Sequence, residues 1–339
     1  MITRTHPTWH TEDWQIQLTN GIANLEQLLQ HLKLQPNDLP AQWQAHHNFP
    51  LRAPQGYVDK IEPGNPKDPL LLQILPQSQE LNDPVGFDKD PLQEHKFTPL
   101  PGLIHKYQSR VLLTTSSTCA INCRYCFRRH FPYQEHRISQ PQIAAILTYL
   151  QQQPRVNEII LSGGDPLATS NSRLERLIEQ LAQLPQLTRI RIHTRLPVVI
   201  PQRIDQALLN LMDNDRFQWL MVVHSNHPQE LDSDFAQAMQ LLKERNITLL
   251  NQSVLLKDIN DNPRILAELS EKLFACGVLP YYLHLLDPVS GANHFDVNQP
   301  DANRIYQQLL AALPGFLVPK LVREDPDQPS KTPIMPNAN

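Results

Sequence analysis

The feature that most limits what this chain can fold into is an alternation that begins near residue 108. Short apolar runs recur at regular spacing: "RVLLTT" (110–115), "EIILSG" (158–163), "RIRIHT" (189–194), "WLMVVHS" (219–225), "ITLLNQS" (247–253), "YYLHLL" (281–286) and "GFLVPKL" (315–321). Between them lie amphipathic stretches with helical period, such as "SRLERLIEQLAQL" (172–184) and "SDFAQAMQLLKERN" (233–246). Parallel strands need a long crossover between them, usually a helix, so this alternation predicts βαβ units. At least six such units predict an α/β fold, a partial (β/α)6-type TIM barrel, with an open doubly wound sheet as the competing arrangement.

Residues 1–100 read differently. "ANLEQLLQHLKL" (23–34) has helical periodicity, and proline-bearing stretches such as "EPGNPKDPLLLQILP" follow it. Short helices and loops wrapped on something larger are expected there. The predicted organisation is an irregular, mostly helical N-terminal extension (1–100), a barrel (101–322) and a C-terminal segment (323–339).

Charge and hydropathy exclude several classes. The 30 basic and 34 acidic residues are well mixed and sum to −4, which leaves no nucleic-acid footprint. No run approaches the roughly 20 apolar residues of a membrane span. "MITRTHPTWHTEDWQ" lacks the apolar core of a signal peptide, so a cytoplasmic protein acting on a small molecule is expected.

In a parallel barrel, ligands sit beyond the C-terminal ends of the strands. The unusual residues of this chain fall there: cysteines after the first strand, "SGGDP" after the second, "HTR" after the third, "HSNH" after the fourth, "NQS" after the fifth and "LLDP" after the sixth. Three of the four cysteines lie within "CAINCRYCF", as Cys119, Cys123 and Cys126; the fourth is Cys276. Thiols this close cannot staple a large fold and point to metal binding. One reading is a closed zinc site completed by His130 or His136. The other is an iron–sulfur cluster whose fourth iron has no protein ligand and is open to a small molecule.

Cys-x3-Cys-x2-Cys with Tyr125 just before the last cysteine, following the first strand of a βα barrel, resembles the radical S-adenosylmethionine (SAM) superfamily. The resemblance implies a [4Fe–4S] cluster on Cys119, Cys123 and Cys126 that binds SAM at the open iron. It also implies a contact to the SAM methionine group by the Gly163–Gly164–Asp165 turn. Several stretches together, "CRYCFRRHF", "LSGGDPL", "TRLPVVIPQRI", "NQSVLL", "LPYYLHLLD" and "SKTPIMP", resemble the lysine 2,3-aminomutase family over roughly residues 100 to 337.

That family resemblance implies a second cofactor, pyridoxal 5′-phosphate (PLP). It assigns Lys331 as the catalytic lysine that holds PLP as a Schiff base, Lys106 and Arg110 as phosphate partners, and Gln252 as a residue near SAM. "DQPS" stands where free-lysine enzymes of the family carry a glycine run before this lysine. For an L-lysine substrate the resemblance places Arg128 on the carboxylate, with Arg129 as the neighbouring alternative, and Asp287 and Glu324 around the ε-ammonium. A planar guanidinium suits the carboxylate and paired acids suit the cation. His224, His227, His284 and His294 receive no catalytic role, and Asn251 reads as structural.

The implied reaction is 2,3-amino migration from L-lysine to (R)-β-lysine, with an electron-donating protein as a further partner. The chain ends at Asn339, soon after the lysine motif, and looks closest to the branch that supplies β-lysine to a ligase for modification of elongation factor P. The alternatives are a stand-alone lysine 2,3-aminomutase, a radical SAM enzyme without PLP, and a zinc-stabilised binding protein.

Overall fold

The structure, a computed structural model, describes residues 13–39, 49–136 and 138–335. Nine strands form one sheet in strictly sequential order: β1 (Leu103–Tyr107), β2 (Arg110–Ser116), β3 (Glu158–Gly163), β4 (Arg189–Thr194), β5 (Gln218–His224), β6 (Thr248–Val254), β7 (Leu279–His284), β8 (Lys320–Arg323) and β9 (Thr332–Pro333). Strands β2 to β8 are parallel, while β1 and β9 run antiparallel at the two ends. A doubly wound sheet reverses its strand order at a switch point. No reversal occurs here, so the chain winds one way only, and β1 and β9 remain as edges of a partial barrel.

Each parallel step is bridged by a helix, from Gln140–Gln151 after β2 to Gln299–Ala312 after β7. Their apolar residues recur on one face, as with Leu174, Leu177, Ile178 and Leu181 in Asn171–Leu181, and that face is buried. β3 is buried along its whole length, which explains its continuous apolar run. The helix expected over 172–184 ends earlier, at Leu181. The strand expected over 315–321 is shifted: Gly315–Leu317 forms a 3₁₀ turn and pairing begins at Lys320. Pro319 supplies no N–H to a ladder, so the strand starts only after it.

The N-terminal extension contains short helices at Trp14–Thr19, Leu25–His31, Gln55–Val58 and Pro69–Leu72. Asn24 caps the second, accepting from the backbone N–H of Glu26 and Gln27. Leu28, Leu32, Tyr57, Leu70 and Leu75 belong to the same apolar cluster as Leu113, Ile159 and Ile190 of the barrel. The extension reaches the loops at the C-terminal strand ends. Arg52 O accepts from Asn122 N, Gln73 O from Arg124 N, and Lys60 Nζ donates to Val198 O and Glu230 O. It therefore roofs the end of the barrel where the cysteines lie. Among the described residues no helix is long and apolar enough to cross a membrane.

Candidate active site

The loop after β2 turns all three cysteines, Cys119, Cys123 and Cys126, into one cavity. Arg124 and Arg129 of the same loop point away from it to Glu80. Arg124 donates through Nε at 2.8 Å and through Nη2, and Arg129 Nη2 donates at 2.5 Å. This fixes the loop from behind and leaves the thiols facing inward. The glycines at the end of β3 line the same cavity. Gly163 has φ +118°, and a Cβ there would stand 2.7 Å from Ser116 O. A Cβ on Gly164 would meet Thr118 O at 2.7 Å. Only a residue without a side chain lets the two loops close to this distance.

Asp165 is committed within the protein. Its Oδ1 accepts from Thr194 Oγ1 (2.6 Å) and Leu167 N (3.0 Å), and its Oδ2 from Arg195 N (2.8 Å) and Leu196 N (3.0 Å). This carboxylate ties the β3 turn to the β4 turn. Arg195, unassigned from sequence although it ends the "HTR" cluster, is buried against the site. Its Nη1 donates to Cys123 Sγ (2.6 Å) and to Tyr125 Oη (2.5 Å), and its Nη2 to Gln73 (2.7 Å) and Glu230 (3.0 Å). Tyr125 stacks edge-on to Phe295.

The remaining wall comes from the strand ends. Gln252 Nε2 lies 2.9 Å from His224 Nε2. Burial pushes His224 down to about 3 and holds His193 and His284 well below the ordinary imidazole range, so all three are neutral. Nε2 of His193 and of His284 has no protein partner. Asp287 Oδ1 is likewise unpartnered, and burial raises that carboxyl to about 7, against the pull of Lys331. His227 lies apart, its Nδ1 accepting from Gln229 N, and His294 sits on Phe295. Asn251 ties β6 to β5, donating to Ser225 O and Ser253 Oγ.

Arg128 also lines the cavity, but one edge of it is taken. Nε and Nη2 donate to the two oxygens of Glu94 at 2.9 and 2.6 Å, and Nη1 donates to Ser162 Oγ at 3.1 Å. Neither histidine suggested for a zinc site turns to the cysteines. His130 Nε2 contacts Ser290 O, and His136 packs on Phe131.

Lys331, Glu324, Lys106 and Arg110 form a second cluster at the β8–β9 end. The β8–β9 hairpin places Lys331 Nζ 2.6 Å from Glu324 Oε2. Lys106 Nζ donates to Glu324 Oε1 and Asp325 O, both at 2.7 Å, and Tyr107 Oη donates to Glu324 as well. Burial alone would raise the Glu324 carboxyl; Lys331, Lys106 and Tyr107 reverse this and hold it at about 2. Glu324 is therefore a shared counter-ion for two lysines, while Asp287, the other acid expected near the ε-ammonium, keeps an oxygen without a partner. Arg110 lies over the Tyr107 ring, 3.8 Å from its centre.

Residues 113–269 match the Radical SAM superfamily, the class that the sequential barrel and its cysteine loop define. The L-lysine 2,3-aminomutase of Haemophilus influenzae is 48% identical over 321 residues, covering 95% of each chain. That of Escherichia coli K12 is 47% identical, covering 95% of this chain and 94% of its own. That of Clostridium subterminale is 35% identical over 96% of this chain and 78% of its own. The chain belongs to the L-lysine 2,3-aminomutase family of radical SAM enzymes. Membership carries with it a [4Fe–4S] cluster and SAM. The site fits them: three thiols of one loop share a cavity, a guanidinium stands against one thiol, and a glycine pair that packs closely on the start of the same loop lines the cavity too.

Proposed function

We propose that this protein converts L-lysine to (R)-β-lysine by moving the 2-amino group to C3, with PLP held by Lys331. The observation that carries the reading is the content of one cavity. The three loop cysteines face the same space as a fixed guanidinium, Arg128, and an acid with a buried, unpartnered oxygen, Asp287. A lysine zwitterion with a charged side chain presents the complementary set of groups. Near-full-length identity to proteins named L-lysine 2,3-aminomutase supports the same substrate.

When bound, the cluster with SAM supplies a carbon-centred radical able to take hydrogen from C3, and PLP supplies a carbonyl and conjugated ring that let nitrogen pass between neighbouring carbons. The protein's part is placement. Cys119, Cys123 and Cys126 hold the cluster, with Tyr125 and the Gly163–Gly164 turn shaping the space beside it. Gln252 and the neutral His224 offer SAM a wall without charge. Lys331 Nζ is the attachment point for PLP, and Lys106 and Arg110 are cations for its phosphate. Arg128 takes the substrate carboxylate and Asp287 the ε-ammonium. Glu324 keeps Lys331 and Lys106 together at the rim. The extension over the strand ends excludes water from the radical chemistry.

We further propose that the product is passed, in the cytoplasm, to a ligase that modifies elongation factor P, and that a protein donor supplies the electron. The near-complete mutual coverage with the Haemophilus and Escherichia proteins supports this branch. The test is mass spectrometry of products from anaerobically reconstituted protein given L-lysine, SAM, PLP and reductant. β-Lysine is expected, and Cys123→Ala should reduce its formation by at least about 10³-fold. Turnover that survives Cys123→Ala rules out the radical reading. Unmodified elongation factor P in a deletion strain would support the pathway.

A further inference from the structure

We infer that Glu94 is a positioning residue for substrate carboxylate recognition: it grips one edge of Arg128 so that the guanidinium presents its remaining N–H pair to the α-carboxylate. This rests on the L-lysine reading above.

A guanidinium has five N–H donors. Three are accounted for: Nε and one on Nη2 go to Glu94, and one on Nη1 goes to Ser162 Oγ. One N–H is left on each of Nη1 and Nη2. Two donors on adjacent terminal nitrogens match the two oxygens of a carboxylate. The Glu94 pairing is itself side-on, through Nε and Nη2, so it fixes the plane as well as the position of the group.

The grip answers a competition. Arg128 is two residues from Cys126, and the two interact electrostatically. An unrestrained arginine beside an anionic thiolate cluster has a strong alternative partner.

Glu94 is itself held. It opens the 3₁₀ turn Glu94–Phe97, preceded by Gln93 in the left-handed region at φ +50°. Its N–H donates to Asp90 Oδ1 (2.9 Å), and its carbonyl accepts from Thr98 Oγ1 (2.7 Å). A loop serving only as a cover has no need of an acid fixed at both backbone groups and aimed at a cavity-lining arginine.

The experiment uses full-length reconstituted holoenzyme. The Kd for L-lysine is read, without reductant, from the change in visible absorbance on binding, and KM and kcat from product formation. Glu94→Gln should raise Kd and KM for L-lysine roughly 10-fold while kcat changes less than about 3-fold. Binding of L-lysinamide, which lacks the carboxylate, should be unchanged. In an Arg128→Ala background Glu94→Gln should have no further effect on Kd, because its action passes through that arginine. Glu94→Asp retains the charge and should restore most of the affinity; it also decides the matter if Glu94→Gln fails to fold. An unaltered L-lysine Kd in Glu94→Gln, equal losses for lysine and lysinamide, or additive effects with Arg128→Ala would overturn the inference. Wild-type protein that binds no α-amino acid overturns this inference and the reaction assignment together. Wild-type turnover of L-lysine with an indifferent Glu94→Gln overturns this inference alone.

Discussion

The cysteine end and the lysine end of the site are built in opposite ways. At the cysteine end the reactive groups come from one eight-residue stretch, and the surrounding cations are paired with acids from far away: Arg124 and Arg129 with Glu80, and Arg128 with Glu94. At the lysine end the groups come from β1, β2 and the β8–β9 hairpin, which are far apart in the chain, and a single acid, Glu324, serves two lysines. A cluster needs several ligands at short mutual distance, which one loop supplies most simply. A cofactor attached through one amine needs only one residue in the right place, and the sheet topology puts it there.

The sharpest way to break that contrast is to remove the amine. Lys331→Ala should abolish the visible absorbance of the lysine–PLP Schiff base and reduce β-lysine formation by at least about 10³-fold. Iron content and SAM binding should stay at wild-type levels, because the cysteine end does not depend on β9. Loss of the cluster in this variant would show that the two ends assemble together. A change at the other end should act through packing. Gly164→Ala places a Cβ among Thr118 backbone atoms at 2.7 to 2.9 Å. It should cost about 2 kcal/mol of stability, read as a lower unfolding temperature, and should lower iron content more than PLP content.

The smallest effect probes the ground between the ends. Asp287 titrates near 7 in the protein against an ordinary value of 3.8. Its burial therefore costs stability as pH rises from about 4 through 7, where the unfolded chain has already lost the proton. Binding an ammonium needs the ionised form, so the affinity for L-lysine should rise by several fold between pH 6 and 8. Asp287→Asn should flatten that profile. A profile that keeps its shape in the variant assigns the pH response to another group.

The elements readable in the sequence were those carried by period or by close spacing. The parallel strands, their helices and the cysteine loop are local patterns, and each appears within a few residues of its expected place. Pairings between distant segments left no such trace. Glu80 and Glu94 are acids in an irregular region, and nothing beside them signals the arginines of the 124–129 loop. β1 and β9 are too short, and β9 too rich in proline, to stand out as strands. Asp165 was visible as the acid after two glycines, but its four partners come from its own turn and the next one. That this carboxylate joins two loops could not be read from the two glycines before it. Glu324 was visible as an acid near Lys331, but not as its counter-ion, because Lys106 and Tyr107 lie more than 200 residues away in the chain.

The roof over the strand ends changes where this enzyme's working unit begins. The superfamily match starts at residue 113, downstream of Gln73, Glu80 and Glu94. A fragment trimmed to that match would retain Arg124, Arg128 and Arg129 but would lack Glu80 and Glu94, leaving three guanidinium charges in a low-dielectric interior without the acids that pair with them. For this chain, charge balance sets the border of the catalytic module, and it lies well upstream of the first parallel strand.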